Sequence, residues 1–337
     1  MPMVTQIHMK HIIWGTIFLL LFFSAACQEH FAIVDSEDKR ILNKGNAGDW
    51  DHILRGAISP GALIKTEHGY LLYYIGADGN RSFDEGPRHR AVGVAQSPDL
   101  LQFTKDDRNP VLQFLPNQEE EGIFSLATMV DEDGTILLYY GAMTTLEDRR
   151  DEVNCDVRLA VSRDGRSFHD RGIVLAHDDK RVWGYGDELT PLGVIKQGDD
   201  YFLYYLVPNG KGVKWGFAIA TLHHRVDLIE TRPIINSGDW VIGGSVVPLY
   251  DGSDHIAFVL SRSSDWKNGH LEIYNAPKKS PHDLEKVCEL DEFLHLTAFC
   301  EPLSDNCAMV YRHYLDPTGT FKINYFDKNL LLHCTGS

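Results

Sequence analysis

No CxxC pair and no HExxH segment occurs in the 337 residues, so neither a zinc ribbon nor a zincin-type centre is expected, and no metal or other cofactor is predicted. No basic run occurs either. Lys and Arg number 32 against 48 Asp and Glu, a formal net charge of -16. That balance argues against nucleic acid or an anionic membrane surface as partner, since both require clustered cations. No Pro/Gly/Ser-rich linker or low-complexity run divides the chain, and no helix longer than a few turns is expected after residue 30. A single all-β domain is therefore expected, although the length alone would suggest two.

What is present is a phrase used three times in register: GALIKTEHGYLLYY at 61–74, ATMVDEDGTILLYY at 127–140 and LGVIKQGDDYFLYY at 192–205. Each copy is an apolar run, a polar turn and a second apolar run rich in Tyr and Leu, the pattern of two antiparallel strands. A third strand follows each, RAVGVAQS at 90–97, VRLAVSRD at 157–164 and KWGFAIAT at 214–221. Weaker copies at 245–262 and 296–313 bring the count to five. One such unit cannot bury its own apolar face and must stack on its neighbours. The expected fold is a five-bladed β-propeller of four-stranded antiparallel blades, spanning 28–337 as one domain.

Residues 1–27 read as an address rather than as part of the fold. Lys10 and His11 precede the apolar run IIWGTIFLLLFF, too short for a membrane span and ending at SAAC, as a secretory signal does. Cys27 resembles the acylated cysteine of a bacterial lipobox, with Ser24 departing from the usual Leu; cleavage after SAA by an ordinary signal peptidase is the alternative. An exported protein, tied to a membrane only through such an anchor, is expected. Of the remaining Cys155, Cys288, Cys300, Cys307 and Cys334, four crowd the last blade. They read either as a staple through Cys334 that closes the ring or as buried apolar thiols.

In a propeller, the residues leading into each innermost strand share one face with the loops between second and third strands. The lead-ins here are GDWDHILRGAI, NQEEEGIF and VWGYGDEL, and they hold the acids. Glycoside hydrolysis needs one protonated and one ionised carboxyl group across the scissile bond. The phrase AGDW at 47–50 returns as SGDW at 237–240, so Asp49 and Asp239 read as turn residues. Asp51 has Val241 as its counterpart and is the candidate general base, with a turn-capping role as the alternative. Glu188, among Trp183, Tyr185 and Leu189, is the candidate general acid, because desolvation raises a carboxyl pKa. Asp187 beside it is able to exchange roles, and Glu121 is a third carboxylate. The alternative for Glu188 and Asp187 is an acidic pair solvated on a loop, and for Glu121 a solvated face.

The long loops from 75 and from 141 suit binding groups. Arg81, His89 and Asp156 stand in or beside them, and Trp266, Arg312 and His313 hold similar places in blades four and five. Together they offer an apolar face ringed by hydrogen bonds, as a sugar subsite requires. Arg55, with Arg312 or His313, would instead serve a phosphate, the requirement of a glycoside phosphorylase.

The stretch from Trp50 to Phe103, with SPGALIKTEHGYLLYYIGADG followed by GVAQSPDLLQF, resembles the five-bladed glycosidases related to glycoside hydrolase families 43, 32 and 117, as does LLYYGA with LAVSRDGRSF in blade two. The resemblance implies acids from blades one to three in the funnel. It departs from family 43 at Ser59 and at Ser125, where that family has Asp. The expectation is an exported, exo-acting, inverting glycoside hydrolase with Asp51 and Glu188 facing one pocket, acting on a carbohydrate substrate. A catalytically silent glycan-binding lipoprotein is the rival, and a glycoside phosphorylase a third reading.

Overall fold

The structure, a computed structural model, describes residues 39–55, 61–77, 90–113, 121–146, 149–185, 188–208, 215–235, 240–248, 254–263, 269–290, 294–300, 306–313, 321–327 and 331. The chain begins with β1 (Lys39–Leu42). Blade one holds β2 (Ile53–Arg55), β3 (Ala62–Thr66), β4 (Gly69–Ala77), β5 (Arg90–Ser97) and β6 (Thr104–Lys105). Blade two holds β7 (Glu121–Val130), β8 (Ile136–Leu146), β9 (Arg149–Ser162) and β10 (His169–Leu175). Blade three is β11 (Thr190–Gln197), β12 (Asp200–Pro208), β13 (Trp215–His223) and β14 (Asp227–Ile235). Blade four is β15 (Trp240–Pro248), β16 (His255–Ser263), β17 (Gly269–Pro277) and β18 (Glu285–Leu290), and blade five has β19 (Leu294–Cys300), β20 (Asn306–His313) and β21 (Phe321–Asp327).

Each blade is an antiparallel sheet read from inside outward in chain order, with two consequential exceptions. The inner edge of blade one is split, β3 pairing with the start of β4 and β2 with its end. In blade five the outermost strand is β1, paired to β21, so the beginning of the chain completes the last blade. The innermost strands touch in the order β3, β7, β11, β15, β19 and back to β3, which closes the ring. This is the five-bladed propeller expected from the repeat.

The core is five separate seams rather than one mass. Tyr73 and Leu138 belong to the seam between blades one and two, Tyr139 and Leu203 to the next, and Tyr204 and Phe258 to that between three and four. Met309 and Val259 fill the fourth, and Ile41, Tyr74 and Phe321 the fifth. Period-two alternation explains why each repeated Tyr-Tyr pair serves two seams: adjacent strand residues point to opposite faces. The first tyrosine of each pair donates its hydroxyl to a turn of the next blade, Tyr73 to the Gly165 carbonyl (3.0 Å), Tyr139 to Arg225 (2.9 Å) and Tyr204 to Pro281 (3.0 Å). A buried phenol needs such a partner, and the repeat supplies one at these three seams.

Away from the lead-ins, Asp131 ties blades two and three. It accepts from Tyr201 (2.6 Å) and Lys196 (2.9 Å) and pairs with Arg225 (2.5 Å). Cys288 and Cys307 are each disulfide-bonded and lie together in the seam between blades four and five, so these two are not the apolar thiols that one reading of the sequence allowed. Cys155 is a buried free thiol, as that reading had it. Cys27, Cys334 and the N-terminal apolar run lie outside the described residues.

Candidate active site

The segment from 176 to 189 carries the chain from the outermost strand of blade two to the innermost strand of blade three. On its way it is stitched to β9. Glu188 forms a parallel bridge with Cys155, and Leu189 N–H donates to the Cys155 carbonyl (2.9 Å). Glu188 is thereby held at the start of blade three, half-buried, as the sequence led one to expect. Next to Cys155 on β9, Asp156 accepts both the backbone N–H of His177 (2.8 Å) and an interaction from its Nδ1 (2.7 Å). Both fall on Oδ1, which fixes the carboxylate.

Arg90 completes the grouping. Its guanidinium lies over the Phe124 ring, 5.4 Å from Cζ to the centroid, a cation–π contact. Phe124 comes from the inner strand of blade two yet packs on the seam between blades three and four, which a side chain directed at the ring's centre is able to reach. Burial pushes the Cys155 thiol well above its ordinary range, the Glu188 and Asp156 charges raise it further, and Arg90 opposes them. One electrostatic neighbourhood therefore holds two carboxylates and a guanidinium around a buried, protonated thiol. Such a thiol is no nucleophile, because the thiolate is the reactive form.

Asp51 is a correction. Trp50 and Asp51 lie across Gly76 and Gly93 on the face of blade one, and the Trp50 ring stacks on Tyr74 at 5.8 Å. Asp51 is 3 % exposed. Its Oδ2 accepts from Lys105 Nζ (2.5 Å), on the outermost strand, and from Tyr74 Oη (3.2 Å), while Oδ1 presses on Gly45, where any Cβ would collide with it. Tyr74 belongs to the seam between blades five and one. Asp51 thus does for Tyr74 what the Trp183 carbonyl does for Tyr205 (3.1 Å) in blade three: each is the lead-in acceptor for the second tyrosine of the pair. A general base needs an oxygen open to substrate, and both oxygens of Asp51 are covered. Asp49 has the turn role assigned to it, accepting the Asn46 N–H at 2.6 Å.

Glu188 is bridged to Cys155, the neighbour of Asp156 on β9, whereas Asp51 is held by Lys105 and Tyr74. Glu121 opens β7 opposite Thr144, Arg55 ends β2 opposite Ile75, and Arg312 and His313 end β20 opposite His295 and Leu294; their side chains lie outside the described residues. Asp187, Arg81, His89 and Trp266 lie outside them altogether. Ser125, where the resembled family has Asp, is fully buried. Arg90, Phe124 and His177 were not singled out in the sequence. The first two were legible as the leading residue of a third strand and the residue before Ser125. His177 was not, since its partner is 21 residues away.

Among the described residues the metal-like grouping is His270, Glu272 and Glu289 in blade four. Lys286 Nζ stands 2.6 Å from Glu272 and 2.7 Å from Glu289, so an ammonium already holds the cation's place.

No known family profile matches the chain, and no curated protein matches it. Solved structures do. A glycosyl hydrolase from Bacteroides ovatus superposes with a TM-score of 0.61 at 12% identity, over 88% of this chain and 92% of that one. A thermostable family-43 glycoside hydrolase gives 0.56 at 14%, over 80% and 89%. The β-1,2-mannobiose phosphorylase of Listeria innocua gives 0.60 at 12%, over 83% and 91%. At such identities the likeness is one of fold: the chain has the five-bladed propeller architecture of these glycosidases without a standard family assignment.

Proposed function

We propose that the chain is a glycan-active enzyme that hydrolyses a terminal glycosidic bond at the mouth of the propeller, with Glu188 as general acid. The observation that carries this reading is the half-buried Glu188, stitched to β9 beside Asp156 and Arg90. Glu188 gives its proton to the glycosidic oxygen as the bond to the anomeric carbon breaks. Asp156, oriented by His177, takes a proton from the water that forms the new bond. Inversion follows if the two carboxyl groups stand about 6.5 to 9.5 Å apart. The length of the loop sequences from 75 and from 141 favours action at a chain end. The bonded Cys288 and Cys307 favour an oxidising compartment, in keeping with export and a lipid anchor at Cys27.

Glu188→Gln is expected to lower turnover of an oligosaccharide substrate at least 100-fold while leaving binding intact. Unchanged turnover would remove Glu188 from the mechanism. Arg90 beside the carboxylates supports a second reading, phosphorolysis, in which phosphate replaces water as the attacking group. A turnover rate that rises with inorganic phosphate and yields a sugar phosphate would select it. Glycan binding without turnover in the native protein would instead select the silent binder, which the seam position of Asp51 favours.

A further inference from the structure

Tyr185 is the sole aromatic among the large apolar side chains that stand exposed in the described residues, at 56 %. It lies three residues before Glu188, on the turn that leads into blade three. An aromatic side chain buries a large apolar area when it can, so one left open on a well-anchored segment asks for a reason.

The segment is anchored with unusual thoroughness. Val182 is buried in the seam between blades two and three, and Tyr185 N–H donates to its carbonyl (3.1 Å) to close the turn. Trp183 N–H donates to Thr231 Oγ1 (2.7 Å), whose hydroxyl donates to the Arg181 carbonyl (2.8 Å). The Trp183 carbonyl takes the Tyr205 hydroxyl. Gly184 adopts φ +82 and lies so close to Val207 that any Cβ would collide with it, which fixes glycine there. Val182, Trp183 and Gly184 before it are tied inward, while Tyr185 is turned out.

We propose that Tyr185 is a sugar-stacking platform: a binding and specificity-determining residue whose ring takes the apolar face of a neutral pyranose beside the one held at Glu188. The proposal rests on the reading of that mouth as a glycan site. A rigid aromatic ring binds with little loss of rotamer freedom, since two torsions define it. Neutral rather than acidic sugars suit it, because Glu188 and Asp156 place negative charge close by and the chain as a whole carries -16.

The test is binding, measured by calorimetry for neutral oligosaccharides of glucose, mannose, xylose and galactose, with the native protein, Tyr185→Ala, Tyr185→Phe and Glu188→Gln. Tyr185→Ala is expected to weaken the best ligand roughly three- to tenfold with its melting temperature unchanged, while Tyr185→Phe binds as the native protein does, because stacking needs the ring and not the hydroxyl. Equal affinity of Tyr185→Ala and native protein would overturn the proposal, as would equal losses in both Tyr185 variants or no binding of any oligosaccharide to the native chain. Glu188→Gln separates this from the mechanistic reading. Full turnover in that variant together with weakened binding in Tyr185→Ala would sink the assignment of the acid and leave the platform standing.

Discussion

At the scale of single residues, two aspartates show how position decides what a carboxylate does. Asp51 broke the repeat in the sequence and so looked chemical, yet its Oδ2 accepts from Lys105 and Tyr74 and its Oδ1 is packed against Gly45. Asp51→Ala is expected to lower stability by about 2 kcal/mol, the cost of leaving buried polar partners unmet. In the same variant, turnover measured well below its melting point should stay within about threefold of native, whereas loss of a general base costs roughly 100-fold or more. Asp131 is the opposite case, an acid that no motif marks. Burial pushes its carboxyl up, but hydrogen bonds from Tyr201, Lys196, the Glu132 backbone and Arg225 together outweigh that and hold it well below the usual carboxylate range. Its folded pKa is depressed, so the unfolded chain binds the proton more readily. The stabilisation is present in full above the unfolded value, near pH 4, and drains away as pH falls further. Urea titrations from pH 7 down to pH 2 should show Asp131→Asn less stable at neutrality and flatter in its acid dependence; parallel curves would refute the account.

At the scale of elements, the repeated Tyr-Tyr pair explains how strands become a ring. The first hydroxyl of each pair crosses a seam to a turn of the neighbouring blade, so the pair carries both the apolar wedge and its registration. Tyr73→Phe and Tyr139→Phe are each expected to cost about 1 kcal/mol, one hydrogen bond apiece, and to add in the double variant because the two seams share no partner. Chemical denaturation of the three variants checks this. The lead-in to blade three is the other element that matters. Its turn is closed by a glycine at positive φ against Val207, and Gly184→Ala should lower stability by roughly 1 to 3 kcal/mol through strain and collision together. The same variant should lose more in turnover than Asp51→Ala, since the turn it disturbs carries Glu188.

At the scale of the whole molecule, the ring is closed by β1, four residues that the repeat could not reveal because they copy no blade. Ile41 and Leu42 are buried in the last seam, and β1 covers the edge of β21 that would otherwise be open to pairing. Removing residues up to Leu42 should lower the melting temperature by roughly 10 °C and promote aggregation, to be read by calorimetry and light scattering. The blades themselves were legible, down to the limits of β5, because period-two alternation, polar turns and repetition are local signals that every copy restates. Within the site, Glu188 and Asp156 were legible as acids on lead-ins and loops, while their meeting at Cys155 was not, and neither was the loss of Asp51 to Lys105, 54 residues away. The sequence by itself determined the number of blades and the repeated inner strands of each, though not the outermost strand of blade five or the split inner edge of blade one. The tertiary structure alone decided that Asp51 is taken up by Lys105 and Tyr74 and that Glu188 is bridged to the neighbour of Asp156, because that depends on partners brought together from distant parts of the chain, and no local pattern encodes a contact between distant turns.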